Sequence, residues 1–175
     1  MWMKTKIKIP KHLKPDEREA LALEILEQIV ERTKNGKDKD GDRFPSYSKS
    51  YKNSLNFKIG GKSSKVDLTL SGDMLADMQL LNHKSGELVI GFENGTESNA
   101  KAEGNIRGTY GQKTPRSDRA RDFLGIDDKS LSRILADYPA DDIDAKKEKV
   151  EELRTIYGKA DAISARVFIE EIDED

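Results

Sequence analysis

The stretch from Pro15 to Lys34, PDEREALALEILEQIVERTK, decides how the rest of the chain can fold. Its first residue lacks the N–H group that an opening helical turn cannot use, and the acidic residues that follow face the positive end of the helix dipole. Asn35-Gly36 supplies a stop. The spacing of the apolar residues predicts one amphipathic helix whose stripe faces the core: Ala22, Ile25, Leu26, Ile29 and Val30.

Several other segments alternate as strands do. Residues 3–9 place apolar side chains between lysines, which suits a sheet edge. Residues 66–70 alternate as a half-buried strand, and 80–81 with 88–90 flank Asn82 to Gly86 as a hairpin connection. We therefore expect an α/β (α+β) fold in which a small mixed or antiparallel β-sheet is packed by amphipathic helices, with long extended loops.

The chain has the length of one domain, because 175 residues fall within the usual domain size. Only 35% of it is hydrophobic and 37% is charged, so the core must be modest. We predict a single domain over 1–175, with extended loops at about 35–65 and 93–121. A short helix is expected around Tyr47 to Phe57, and another from Asp127-Asp128 to Leu135. A helix and a strand form the C-terminal extension 139–175.

Composition excludes several classes of protein. The chain has no cysteine, which excludes disulfides and thiolate zinc sites. Residues 1–10 lack the continuous apolar run of a signal peptide, and no window approaches the roughly 20 apolar residues that a bilayer requires. We expect a soluble protein made in the cytoplasm, with no membrane partner.

The motifs that suggest chemistry are each incomplete. Lys37 to Asp42 resembles a calcium loop but lacks both the first acid and the final glutamate. Gly61-Lys62-Ser63 lacks the earlier glycine of a phosphate loop. His12 and His83 stand apart from any nucleophile and are expected at the surface. We therefore predict no catalytic residue, no metal, no cofactor and no enzyme activity.

Charge is distributed unevenly along the chain. Residues 34–65 carry nine Lys/Arg and three Asp, whereas 122–175 carry eight Lys/Arg and sixteen Asp/Glu. This asymmetry is consistent with head-to-tail contact between identical subunits, with a basic rim near DNA, or simply with solvated surface.

The segment from Glu93 to Asp122 is rich in glycine and arginine and has almost no large apolar residue. Such a segment cannot build a core of its own, so we expect residues 94–120 to be mobile in a free subunit and ordered by a neighbour. Its basic residues fit a DNA-backbone arm and a subunit contact equally well. The candidate contact residues are Arg107, Tyr110, Lys113, Arg116, Arg119 and Arg121, joined in the basic arm by Lys101.

Phe123 and Leu124 close this polar segment just before a helix start, like a hydrophobic staple. We predict that they anchor the chain, that Gly125 allows a tight approach, and that Arg121 contacts a carboxylate.

Four pieces in order carry a resemblance to a known family. They are Tyr47 to Tyr51, Leu68 to Leu75, the glycine-rich Gly95 to Gly111, and Arg121 to Ile126. Over residues 42–137 this order resembles the phage virion morphogenesis family, the tail-completion or tail-terminator proteins of the neck. Within the pieces, Tyr47, Tyr51 and Gly72 are expected to be structural anchors.

The resemblance implies a structural virion protein and not an enzyme. Members form a ring, typically a hexamer, that completes the tail tube and joins the tail to the head connector. The implied partners are the chain itself, tail-tube and sheath proteins, and head-completion or connector proteins, with DNA passing through the lumen. The implied location is the head–tail junction of the virion, after assembly in the host cytoplasm. The alternative is a small DNA-binding protein that uses the basic segments 34–65 and 101–121.

Overall fold

The structure is a computed structural model that describes residues 1–60, 64–68, 73–109 and 114–138. Within these ranges the chain forms three strands, six helices and one 3-10 turn at Ser117–Arg119. In chain order they are β1 (Lys4–Lys8), α1 (Pro15–Lys34), α2 (Lys49–Lys52), α3 (Leu55–Ile59), α4 (Asp73–Ala76), β2 (Gln79–Lys84), β3 (Glu87–Gly91), α5 (Glu97–Arg107) and α6 (Asp128–Leu135). The predicted C-terminal extension 139–175 lies outside the described residues.

Helix α1 has the bounds that its sequence predicts. The Lys14 backbone N–H donates to the Glu17 carboxylate at 3.0 Å, which satisfies one of the donors left over at a helix start. Its apolar stripe is almost entirely buried, and the helix packs on β2 and β3. Burying this stripe against the sheet is the main source of the core.

The sheet is antiparallel throughout and has the order β1-β3-β2. This confirms the mixed α+β class and the edge position of the lysine-rich first strand. The hairpin is also confirmed, but its connection is only Ser85-Gly86, because Lys84 already pairs with Glu87. Gly86 has φ 86°, a conformation that glycine adopts without strain in so tight a turn.

The predicted strand at 66–70 is wrong for the residues that the structure describes. Val66 to Leu68 are irregular, and Leu68 has φ 54°, which turns the chain out of the extended conformation that a strand needs. Val66 is nonetheless buried in the hydrophobic core, and its carbonyl oxygen lies against Gly36 after α1. Residues 69–72, including Gly72, lie outside the described residues.

The segment 93–121 is not extended throughout, because it contains the eleven-residue helix α5. Thr96 caps this helix by accepting from the Asn99 N–H, and Gly108 ends it in the left-handed conformation. Asn99 also accepts from the Met3 N–H at 2.8 Å, so buried hydrogen bonds fix α5 to the start of β1. Capping and polar contacts replace the large apolar residues whose absence suggested a loop.

Residues 47–59 form two short helices in place of the one expected. Ser48 caps α2 and Ser54 caps α3, each by accepting a backbone N–H three residues ahead. Helix α6 begins where predicted, with the Asp127 carboxylate accepting from the Ser130 N–H at 2.9 Å, and it packs on α1.

Candidate functional site

A cleft of about 200 Å³ opens where residues 46–51, α5 and residues 119–121 meet. No carboxylate is among the described residues that line it, whereas Lys101, Arg119 and Arg121 are. We call it the tyrosine–arginine cleft. The described residues that line it are Ser46, Tyr47, Ser48, Tyr51, Leu68, Met74, Lys101, Gly104, Asn105, Gly108, Arg119 and Arg121.

An aromatic cluster forms one wall of the cleft. The Tyr47 and Tyr51 ring centroids lie 5.1 Å apart, and Phe57 meets both rings edge-on at 5.7 and 5.5 Å. Such tilted and edge-to-face contacts add to the stability gained by burying the rings. The cap at Ser48 matters here, because it begins the turn that carries Tyr51 back towards Tyr47.

Arg121 lies against this aromatic wall. Its guanidinium lies 5.2 Å from the centre of the Tyr47 ring, within the range of a cation–π contact, and one N–H group donates to the Asn105 side-chain oxygen at 3.3 Å. These are uncharged partners, so the predicted contact between Arg121 and a carboxylate is not present among the described residues. The Arg121 Nε is buried without a hydrogen-bond partner in that part of the chain.

Burial shifts the pKa values of Arg121 and Tyr47 in opposite directions. Desolvation lowers the pKa of Arg121 and raises the pKa of Tyr47, with Asp67 adding to the rise at the tyrosine. Tyr47 therefore stays a neutral hydroxyl over the physiological range, whereas an arginine keeps its charge even when its pKa falls somewhat. The cleft offers cations, hydroxyls and ring faces, which suit a carboxylate-bearing or phosphate-bearing partner.

The structure brings only some of the predicted contact residues to this cleft. Arg119 and Arg121 line it, and Arg119 makes no ion pair within the described ranges. Arg107 is paired with Glu103 at 2.8 Å and Arg116 with Asp118 at 2.7 Å, both at the surface. Tyr110 and Lys113 lie outside the described residues.

Phe123 and Leu124, two of the expected anchors, lie in the core and do not line the cleft, whereas the expected anchors Tyr47 and Tyr51 do line it. Phe123 is fully buried and meets Phe92 edge-on at 6.3 Å, and Leu124 is 7% exposed. A methyl group added at Gly125 would meet the Lys39 side chain at an ordinary 3.5 Å, so the predicted tight approach at Gly125 is wrong. Gly125 contributes its carbonyl oxygen instead, which accepts from Arg32.

Arg32 is the residue that sequence reasoning missed here. Although charged, it is 8% exposed and donates at 2.7 Å to the carbonyl oxygens of both Phe123 and Gly125. Its position was a usable signal, because Arg32 falls seven residues after Ile25 and three after Ile29, on the buried stripe of α1. Asn105, which holds Arg121, gave no such signal.

Two further expectations concern polar residues. His12 is exposed as predicted, but His83 lies in β2 and is 9% exposed, because the hairpin turn is shorter than expected and the strand reaches further. In the suspected calcium loop, the Asp38 carboxylate accepts the backbone N–H groups of Asp40 and Asp42. The part of the chain that the structure describes contains no group of acidic or histidine side chains arranged to hold a metal.

None of the described helices is both long enough and apolar enough to cross a bilayer. Comparison with known proteins gives no match: no protein-family model, no curated protein and no solved structure is significantly similar to the chain. What bears on function is therefore the chemistry of the tyrosine–arginine cleft and the segments that line it.

Proposed function

We propose that this chain is a structural, non-catalytic subunit of the tailed-phage neck, which forms a closed ring that completes the tail tube and joins the tail to the head connector. Sixfold symmetry is what the resemblance to tail-completion proteins implies. The ring's partners would be tail-tube and sheath proteins below it and connector proteins above it, with DNA passing through the lumen.

One observation carries the proposal. The four pieces of sequence that resemble the family are far apart along the chain, yet each supplies residues to the tyrosine–arginine cleft. They contribute Tyr47 and Tyr51, then Leu68 and Met74, then Gly104 and Gly108, and finally Arg121. Pieces that meet in space support a shared structural role, because a chance match of short motifs has no reason to converge.

The cleft's chemistry supports assembly better than catalysis. Its cations stand beside aromatic faces and hydroxyls, and Arg119 has no intrachain ion pair within the described ranges. Arginine and tyrosine are the residue types that most often anchor protein interfaces. A carboxylate-bearing segment of a neighbouring neck subunit would be held there by charge-assisted hydrogen bonds.

The alternative is binding to the DNA backbone through the segments 34–65 and 101–121. The cationic lining of the cleft favours it, but Glu103 and Asp118 neutralise two arginines of the basic arm. Binding to duplex DNA would fall steeply with salt if several phosphates were contacted.

Purified protein and isolated tails of the encoding phage, imaged by negative stain and weighed by mass photometry, test the proposal. We expect rings of the purified protein, or rings on the isolated tails, or both. The Arg119→Ala variant should fold normally but should join tails to heads poorly. The exposed variant Lys8→Ala is the matched control. A protein that stays monomeric alone and on tails, or one whose main ligand is salt-sensitive DNA, contradicts the proposal.

A further inference from the structure

Helix α3 exposes two large apolar side chains to solvent. Leu55 is 68% exposed and Ile59 is 75% exposed, and their four-residue spacing puts them on one face. Phe57 points the opposite way and packs against the rings of Tyr47 and Tyr51. The aromatic cluster thus holds α3 on the body while leaving its apolar face uncovered.

Three lysines belong to α3 or to α2, the helix that α3 contacts. Lys49, Lys52 and Lys58 have no ion pair in the described part of the chain, and Lys58 lies within α3 itself. We call Leu55 and Ile59 with these lysines the α3 patch. An exposed apolar pair with unpaired lysines on the same two helices is typical of a surface that meets an anionic protein partner.

A second, acidic cleft of about 220 Å³ lies between α1 and α6, and we call it the α1–α6 cleft. Tyr138 donates to Glu24 at 3.0 Å, and Arg133 donates to Gln28 at 3.4 Å, so these side chains are already engaged. Among the described residues its lining is Glu24, Glu27, Gln28, Glu31, Arg133, Ile134 and Asp137.

Three carboxylates of the α1–α6 cleft are free to meet a partner. Glu27, Glu31 and Asp137 make no side-chain hydrogen bond or ion pair within the described ranges. Glu27 and Glu31 stand four residues apart on α1 and share its outer face, whereas Ile134 supplies an apolar floor.

The patch and this cleft match in charge and share no residue. The patch offers three unpaired ammonium groups and an apolar pair, and the cleft offers three unpaired carboxylates and an apolar floor. Because each copy carries both surfaces on different elements, such a contact is head-to-tail, and it closes into a ring when the rotation between copies allows. DNA would match the lysines but not Leu55 and Ile59.

We propose that the α3 patch of one copy docks into the α1–α6 cleft of a second copy of this chain. This inference rests on the proposed ring and names the surfaces that build it. It also brings three lysines of the basic segment 34–65 against the carboxylates of the α1–α6 cleft.

Two defective variants test the docking by mass photometry and analytical ultracentrifugation. Ile59→Asp places a charge on the apolar face of the patch, and Glu27→Lys reverses a charge in the cleft. Each should weaken self-association about tenfold or more, the scale of a lost interface anchor. Asn94→Asp and Glu93→Lys are exposed controls with the same charge changes and should assemble like wild type. Thermal melts verify that all four variants fold.

Mixing the two defective variants sharpens the test. Ile59→Asp keeps an intact cleft and Glu27→Lys keeps an intact patch, so an equimolar mixture should give dimers and no rings. If wild type forms rings and either variant does too, or if the mixture gives no dimer, the docking is overturned and the ring stands. If Ile59→Asp assembles normally and loses only DNA binding, the α3 patch is a DNA-binding surface and the docking is overturned. If the wild-type protein is monomeric both alone and on tails, the proposed ring is refuted together with the docking.

Discussion

Helices α1 and α5 are both fixed to the body of the protein, but by opposite means. Helix α1 buries a stripe of large side chains, among them Leu21, Ile25 and Ile29, none of which is exposed. The buried residues of α5 are small or polar: Ala102 and Gly104 at its packed face, with Ser98 and Asn99 near its start. Its one large apolar residue, Ile106, is only partly buried against the core. The first is held by removing apolar surface from water, and the second by caps and buried hydrogen bonds.

This difference predicts two kinds of failure. Damage on the α1 side leaves a cavity or an unsatisfied carbonyl in the core, and its cost should be large and independent of assembly. Damage on the α5 side releases the cap or the loop that lines the tyrosine–arginine cleft. Its cost should be smaller for the fold, and it should weaken the proposed contact with a neighbouring neck subunit.

The largest effect is expected at Phe123, which packs on the α1 side. Phe123→Ala should lower the free energy of unfolding by about 3–5 kcal/mol, because a fully buried aromatic ring is replaced by a cavity. Arg121→Ala, two residues earlier, should leave the fold nearly intact and weaken tail-to-head joining. Urea denaturation of both variants beside a joining assay measures this. A Phe123→Ala protein that melts like wild type would show that the anchor role is wrong, and normal joining by Arg121→Ala would refute its contact role.

Arg32 comes next, as a buried polar side chain of α1 that holds the 121–127 segment. Arg32→Leu keeps the helix and removes two short hydrogen bonds, leaving the carbonyl oxygens of Phe123 and Gly125 unsatisfied. We expect a loss of about 2–3 kcal/mol in the free energy of unfolding. Arg133→Leu, at an exposed site on α6, is the control and should cost little. Equal stabilities of the two variants would mean that Arg32 does not clamp the 121–127 segment.

The two helices also differ in how far sequence alone reveals them. Large apolar residues at helical spacing predicted α1 to the residue, and alternation predicted β1 and the hairpin, because those elements are stabilised by the side chains that make the pattern. Helix α5 was not predicted, because Thr96, Asn99 and Gly108 stabilise it. These residue types are equally common in loops.

The candidate site was predictable in part for the same reason. The tyrosines and Arg121 stood out within the family-like segments, but their meeting depends on Asn105 and on the turn that brings Arg121 back to α5. The backbone N–H of Arg121 donates to the backbone carbonyl oxygen of Asn105 at 2.9 Å. These residues are far apart in sequence, so no local pattern encodes this hydrogen bond. The α1–α6 cleft likewise arises only when two helices distant in sequence pack together.

A smaller effect is expected at the end of α5, where two glycines allow a matched comparison. Gly108 and Gly95 both have positive φ, 65° and 84°, so alanine is strained at each. At Gly95 nothing lies within 4 Å of an added methyl group, whereas at Gly108 that group would collide with the Arg116 carbonyl oxygen. Gly95→Ala should lower the free energy of unfolding by about 1 kcal/mol, and Gly108→Ala should lower it by about 2 kcal/mol. Only Gly108→Ala should also weaken assembly. Equal melting temperatures would show that the fold of residues 116–120 onto α5 contributes little.

The smallest effect is expected at the start of α6, and its sign with pH can be worked out. The hydrogen bond from the Ser130 N–H is the main cause that lowers the pKa of Asp127, with a minor contribution from Arg32. A carboxylate whose folded pKa lies below its unfolded value near 3.8 stabilises the fold above that value, and the contribution is lost as pH falls through the folded pKa.

Asp127→Ala should therefore lower the free energy of unfolding by about 1 kcal/mol at pH 7, the usual value of an N-cap. Asp127→Asn keeps an oxygen acceptor but cannot titrate, so its urea midpoint should fall less than that of wild type between pH 5 and pH 3. Identical acid-side losses in wild type and Asp127→Asn would show that the cap does not depend on the charge, and would leave α6 held mainly by Ile134 and its packing against α1.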